Sequence, residues 1–220
     1  MRRCIALLQF AVMFTGLASA AGKPKVITFG KPMTVKLFLG PTEDKTMDMK
    51  VRGLYVDGAL KEFTTGETHD ITDRLFVARK AYRLNDNLPE DTKSPHWKWQ
   101  RGAWLLVDRT NAHITTIKLP EFDPFYSSVS WYRDYAAYCG ISDNGETLYA
   151  VVAQIGRKKA VLRKELGPAS QADSPDADCD APQWERSPSK VTFFPKKYPK
   201  ASYTVFGHAT DIATDSNDDE

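Results

Sequence analysis

Residues 148–153 read Leu-Tyr-Ala-Val-Val-Ala, an unbroken apolar run. Successive side chains of a strand point to opposite faces, so this run predicts a strand that is covered on both sides. Hairpin signals bracket it, with Asp143-Asn144-Gly145 before the run and Gly156-Arg157 after it. The stretch therefore predicts an interior strand between antiparallel neighbours over 135–141 and 159–166. The second of these is charged at its ends, as expected for an edge strand.

The rest of the chain reads as short strands joined by turns, and no long segment has helical periodicity. Further strands are predicted over 26–29, 34–39, 50–56, 59–63, 75–84, 103–107, 113–119, 128–132, 190–194 and 202–206. Asp57-Gly58 predicts a type I′ hairpin turn, because glycine accepts positive φ.

Residues 167–190 are rich in Pro, Ala, Ser and Asp, and are predicted as a surface loop before a final hairpin over 190–206. The sequence thus predicts one all-β domain over residues 21–209. Its antiparallel meander is expected to form a roll, a sandwich or a small or partial propeller-like domain.

Two strand-like segments, 104–108 and 114–119, are followed by Ser-Asp-Asn-Gly-Glu-Thr-Leu-Tyr over 142–149, which together give a rhythm of strand, turn and an S-D-G-x-x-L motif. On these motifs, residues 103–166 resemble one blade of a β-propeller of the WD40 or TolB-like type. The resemblance implies a propeller-like arrangement of strands. It implies no particular activity, because propellers host many unrelated functions.

The N-terminus carries the features of a secretory signal. Arg2 and Arg3 precede an apolar run over 4–17, and Ala18-Ser19-Ala20 supplies the small residues of a cleavage site. The run is shorter than the roughly 20 residues that span a bilayer, so residues 1–20 are predicted as a cleaved signal peptide and no permanent membrane span is expected. We therefore expect an exported protein, periplasmic or secreted after cleavage near Ala20.

Charge and composition exclude some classes of partner. The chain has 42% hydrophobic and 11% aromatic residues, which is typical of a soluble globular domain. Signal cleavage removes two of the 30 basic residues, which then equal the 28 acidic ones in number. A dedicated nucleic-acid binder usually has a basic excess, so no nucleic-acid partner is predicted. Residues 210–220 are acidic and are predicted as a disordered tail.

Two cysteines, Cys139 and Cys179, remain after signal cleavage. An even pair in an oxidising compartment predicts a disulfide, which would close a loop of roughly 40 residues. The alternative is two thiols, with Cys139 buried in an apolar strand. No CxxC motif or His/Cys cluster occurs in the sequence, so neither a metal site nor a cofactor is predicted.

Aromatic residues are concentrated between positions 97 and 138, a segment that includes four of the five tryptophans. Residues two apart on a strand point the same way, so Trp97 and Trp99 would place both indoles on one face. Exposed rings of this kind can stack on sugar rings or peptide side chains. We predict a binding surface made of Trp97, Trp99, Arg101, Trp131 and Tyr132. The alternative is that these rings form the core of the β domain.

The segment Glu67-Thr68-His69-Asp70, together with Asp73, could hold an acid–base pair or a cation, but its simpler interpretation is a turn capped by Asp and Thr before Leu75. The sequence contains no nucleophile motif and no phosphate-binding glycine loop, so no catalytic residue is assigned. It predicts a non-enzymatic protein that binds an envelope polysaccharide or peptide. A structural or accessory subunit that binds a protein partner through strand edges, and a secreted hydrolase, are the alternatives.

Overall fold

The structure is a computed structural model that describes residues 25–38, 46–85, 87, 95, 97–124, 126–170, 178–187 and 189–207. The predicted signal peptide and the predicted tail over 210–220 lie outside these ranges. Every regular element within them is a strand, which confirms the all-β class. The strands are β1 Ile27–Phe29, β2 Met33–Phe38, β3 Thr46–Val56, β4 Ala59–Asp70, β5 Leu75–Asn85, β6 Trp97–Asp108, β7 Ile114–Thr116, β8 Ser130–Tyr132, β9 Tyr135–Ile141, β10 Thr147–Gln154, β11 Leu162–Pro168, β12 Cys179–Arg186, β13 Ser189–Pro195 and β14 Ala201–Thr204.

The first seven strands form sheet A, in which five strands close into a ring. Strands β2 to β6 follow one another as an antiparallel meander, and β6 returns to β2 through a parallel pairing of Trp99 with Leu37. Strand β1 adds to β3, and β7 adds to β6. At the turn between β3 and β4, Asp57 and Gly58 have φ values of 51° and 79°, as the predicted type I′ hairpin requires.

Two apolar clusters pack on the strands of sheet A. Alternate residues of a strand share a face, so Met49 and Val51 of β3 both contribute to the first cluster. The first cluster consists of Leu37, Met49, Val51, Ala81 and Trp99, and the second of Leu54, Phe76, Ala78, Leu105 and Val107. The first cluster therefore lies at the end of the ring where β2 and β6 pair.

Sheet B contains β8 to β11, in the spatial order β11, β10, β9, β8. It lies between sheet A and the third sheet, so β10 is covered on both faces. Val151 and Ala153 pack towards sheet A, whereas Ala150 and Val152 pack against the opposite side. The predicted interior strand is confirmed, and β11 is the predicted edge strand. The resemblance of residues 103–166 to a propeller blade stays a prediction.

Sheet C consists of β12, β13 and β14, and the predicted disulfide joins it to sheet B. Cys139 of β9 is bonded to Cys179 of β12, with 6.1 Å between the Cα atoms. Val191 and Phe193 of β13 cover the face of sheet B that carries Cys139. The three sheets therefore form a stack in the order A, B, C, with its outer two layers joined through the middle one.

One segment differs from the prediction. Residues 167–190 were expected to form a surface loop, yet β12 occupies 179–186 within them. Pro182 lies at a shift in the pairing of β12 with β13, between Asp180 and Gln183. A proline cannot donate to the ladder, but at a bulge no ladder bond is required of it, so the strand continues past it. The final hairpin forms as β13 and β14.

Candidate functional site

Trp97 and Trp99 lie at the start of β6, at the end of the ring where β2 and β6 meet. Two positions apart on one strand, they point to the same side of the sheet. Across the ladder Trp99 pairs with Arg83 of β5, and Trp97 pairs with Asn85. The strand pairing therefore brings both indoles and the Arg83 side chain to one end of the ring.

Trp99 belongs to the core of the ring. It is only 9% exposed and packs within the cluster that contains Leu37 and Met49. Its ring meets Phe63 edge to face, with 5.2 Å between the ring centroids. Such aromatic pairs contribute about 0.5–1.5 kcal/mol beyond the area they bury. Trp99 is thus a packing residue that offers little surface to a ligand.

Trp97, in contrast, is 43% exposed. The guanidinium carbon of Arg83 lies 4.4 Å from the centroid of the Trp97 ring and 5.9 Å from that of Trp99. A cation over an exposed aromatic ring is worth about 0.5–1 kcal/mol, enough to favour one placement of both side chains. The result is a large apolar ring held at the surface beside a positive charge.

Arg101 lies two positions after Trp99 on the same side of β6, and together with Met47 it extends this surface. Nη2 of Arg101 lies 3.8 Å from Sδ of Met47, and Met47 is 39% exposed. Met47 pairs with Leu37, which in turn pairs with Trp99, so Met47 lies level with Trp99 in sheet A. We call Trp97, Arg83, Arg101 and Met47 the rim site. It combines an exposed indole with two guanidinium groups.

Trp131 lies in a different part of the molecule. Its ring packs on Trp104, with 5.2 Å between centroids, and stacks on His69 at 6.2 Å. Trp104 is seven positions further along β6 than Trp97, roughly 23 Å at about 3.3 Å per residue. Trp131 is therefore well separated from the rim site.

Tyr132 also lies away from the rim site. It is half-buried, with its ring 5.4 Å from that of Trp184 in sheet C. The indole N–H of Trp184 donates to the backbone carbonyl of Ser130, at 3.0 Å. Tyr132 thus belongs to the contact between sheets B and C. The five residues predicted as one binding surface occupy two places, and three of them, Trp97, Trp99 and Arg101, lie together.

Sequence reasoning missed Arg83, the cation that lies over the ring of Trp97. Its importance comes from its position opposite Trp99 in the β5–β6 ladder, and that register cannot be read from one sequence. Met47, another residue of the rim site, was not predicted either.

A third arginine, Arg79, is buried between sheets A and B and is 2% exposed. Its Nη2 donates to the carbonyl of Pro124 at 2.7 Å, and Nη1 donates to the carbonyl of Ser127 at 3.3 Å. Burial lowers the pKa of Arg79 to about 10, so the group keeps its charge at neutral pH. Arg79 directly follows four apolar residues of β5, and this position is the signal in the sequence that it is buried. Arg79 holds the segment between β7 and β8 in place.

The acidic segment before β5 is not a single turn. Residues 67–70 are the end of β4, where Nε2 of His69 lies 3.0 Å from the carbonyl oxygen of Arg133. A threonine does cap the turn before Leu75, but it is Thr72, which lies outside the predicted segment; its hydroxyl accepts hydrogen bonds from the N–H groups of Arg74 and Leu75. In the described part of the chain, no three His, Cys, Asp or Glu side chains are grouped so as to hold a metal ion.

Within the described ranges, no helix is long and apolar enough to cross a membrane. Neither the protein-family models, nor the curated proteins, nor the solved structures include a match to this chain.

Proposed function

We propose that this protein is a non-enzymatic binding protein of the cell envelope and that its rim site takes an acidic polysaccharide. The observation that carries the proposal is the contrast between two tryptophans on one strand. Trp99 is 9% exposed and Trp97 is 43% exposed beside a guanidinium group. Tryptophan is enriched at binding surfaces, because its large ring offers apolar contact area and its N–H offers a hydrogen bond.

The chemistry of the rim site favours a charged sugar. A pyranose ring has an apolar face that can stack on an indole. The guanidinium groups of Arg83 and Arg101 carry donors in a planar fork that matches a carboxylate. An uronic acid unit offers both features at once, whereas a neutral sugar would use only Trp97. The predicted export through residues 1–20 would bring the protein to polymers of this kind.

The test is a titration of the protein with polygalacturonate and, for comparison, with neutral dextran, followed by tryptophan emission and by calorimetry. Trp97→Ala should weaken binding of polygalacturonate about five- to thirtyfold, because stacking on an aromatic ring contributes on the order of 1–2 kcal/mol. Its melting temperature should stay close to that of the unchanged protein, since Trp97 is largely outside the core.

Phe206→Ala is the matched control, because Phe206 is a highly exposed aromatic residue beyond the end of β14, 84% exposed and outside the rim site. It should bind polygalacturonate as tightly as the unchanged protein. Equal weakening by both substitutions, or unaltered binding by Trp97→Ala, would contradict the proposal. So would an absence of binding to polygalacturonate at low salt, where the attraction to Arg83 and Arg101 is least screened.

A further inference from the structure

A groove of about 440 Å³ lies between β7 of sheet A and the turn that joins β10 to β11 in sheet B. Its apolar lining is supplied by Leu106, Ile117 and Ile155. Ile155 is 4% exposed and packs in the cluster that joins sheet A to sheet B, so this lining is the edge of a packed interface. The groove contains none of the residues of the rim site, so its ligand need not be the ligand of the rim site.

The groove is positively charged. Lys118 lines it from the side of β7, and Arg157 and Lys158 line it from the turn after β10. Among the described residues that line it, none is an Asp or a Glu. All three cations are exposed. An anionic ligand would therefore meet three positive charges above an apolar surface, which is charge complementarity for an acidic and partly apolar partner.

The backbone of β7 adds a second feature. The N–H of Ile117 donates to the carbonyl of Trp104, and the N–H of Asp108 donates to the carbonyl of His113. In an antiparallel pair the residues alternate between bonding to the partner strand and pointing away from it. The main-chain groups of Ile114 and Thr116 therefore point away from β6.

No strand in the described part of the chain pairs with this outer side of β7. An edge of this kind is a template for an additional strand. Charged side chains on the edge itself often prevent such pairing, but β7 reads Ile-Thr-Thr and carries none. The cations instead flank the edge, where they would select which strand can be added.

We propose that this groove is a docking site for an extended acidic segment of a protein partner, which adds to β7 as a further strand. Main-chain groups of the partner would bond to Ile114 and Thr116. Alternate side chains of the partner would then reach the apolar lining, and its carboxylates would pair with Lys118, Arg157 and Lys158. The site is independent of the rim site and of any polysaccharide that binds there.

The probe is a fluorescein-labelled decapeptide of alternating Glu and Val, titrated into the full-length protein and followed by fluorescence anisotropy. Arg157→Glu/Lys158→Glu should weaken its binding at least about tenfold, since two attractions become repulsions. The matched control is Lys196→Glu/Lys197→Glu, which makes the same change of charge at exposed residues of sheet C and should bind like the unchanged protein. Equal losses in the two variants would mean that only net charge matters, and would overturn the proposal.

Two further arms test the added strand. Thr116→Pro removes an N–H that points away from β6 and leaves the bonds between β6 and β7 in place. It should weaken binding at least about fivefold with little change in melting temperature. A decapeptide of the same charge whose alternate amides are N-methylated should bind comparably weakly. If Thr116→Pro and the methylated peptide both bind normally, the groove attracts anions without pairing strands, and the proposal fails.

The acidic residues of positions 211–220 are a possible competitor within the chain. A full-length variant with Asp215→Asn, Asp218→Asn and Asp219→Asn tests this. Binding of the decapeptide by both this variant and the unchanged protein supports an external partner. Binding by the variant alone would mean that the chain satisfies the groove itself, and would overturn the proposal of a partner.

Discussion

The ring of Tyr198 packs directly on the backbone of Gly167, so closely that a Cβ atom at position 167 would lie 2.6 Å from Cζ of the tyrosine. The Tyr198 hydroxyl also donates to the carbonyl of Pro168 at 2.8 Å. This contact joins the end of β11 to the turn between β13 and β14. Tyr198 can approach the backbone this closely only because residue 167 has no side chain, and glycine also tolerates the φ of 144° at this position.

Gly167→Ala should therefore destabilise the protein by at least about 2 kcal/mol, because the backbone strain and the displacement of Tyr198 both add to the cost. The free energy of unfolding in urea is the measurement. Gly145→Ala is the control, since Gly145 also has a positive φ, 74°, but its Cβ would meet nothing within 4 Å. It should cost only about 1 kcal/mol. Equal costs would show that the contact with Tyr198 is unimportant.

Replacing both cysteines, as Cys139→Ala/Cys179→Ala, should lower the free energy of unfolding by about 3–4 kcal/mol. The bond closes a long loop and joins the middle sheet to the outer one, so its loss releases chain entropy in the unfolded state. Urea denaturation with and without dithiothreitol measures the effect. The reductant should destabilise the unchanged protein and leave the double variant unaffected. A double variant as stable as the oxidised protein would contradict the prediction.

The hydrogen bonds of Asp108 lead us to expect that the folded protein loses stability in acid. Arg74 donates two hydrogen bonds to Oδ2 of Asp108, at 3.0 and 2.6 Å, and Thr110 donates two to Oδ1. The bonds from Arg74 above all hold the pKa of Asp108 well below its ordinary value. Because the folded state binds the proton less readily than the unfolded state, this stabilisation is present above about pH 4 and is lost as the pH falls below it.

The free energy of unfolding should accordingly decrease between about pH 4 and pH 2, and Asp108→Asn should flatten that part of the profile. The variant should also be less stable at pH 7, because a neutral amide cannot form the ion pair with Arg74. Asp180→Asn, which changes an exposed carboxylate on β12, should leave the profile unchanged. An unaltered slope in Asp108→Asn would assign the acid sensitivity to other carboxylates.

Tryptophan emission should contain one red-shifted component that acrylamide quenches readily, and Trp97→Phe should remove it. Trp97 is 43% exposed, whereas Trp99 and Trp104 are 9% and 3% exposed. Trp99→Phe should leave the red-shifted component in place and lower the melting temperature, because it removes a large core ring. If Trp97→Phe leaves the emission maximum and the quenching unchanged, Trp97 is protected and the rim site loses its main support.

Those parts of the fold that depend on a local sequence pattern could be predicted from the sequence. The apolar run over 148–153 and the glycine turns around it specify a sheet with two covered faces. The pair Cys139 and Cys179 follows from counting cysteines in an exported chain. These features can be predicted without knowing which distant residues are in contact. The sheet depends on neighbouring residues, and two cysteines allow only one pairing.

The remaining features depend on contacts between distant parts of the chain. The strand around Pro182 forms because its partner β13 tolerates a bulge there, which composition alone does not reveal. Trp97 and Trp99 have the same local pattern, and only the pairing of Trp99 with Leu37 places one indole in the core and leaves the other exposed. The site residues were thus partly predictable by type, but their separation into two places was not.

The ring of sheet A closes, among the described residues, through the single pair of Leu37 and Trp99. Every other junction of the ring is a ladder of several pairs, and the one between β5 and β6 spans ten. The junction between β2 and β6 is therefore the weakest one in the ring. Under pulling force or transient thermal opening, we expect the ring to open first between these two strands, which exposes Trp99 while sheets B and C stay folded. Amides of β2 should then exchange with solvent faster than those of β10.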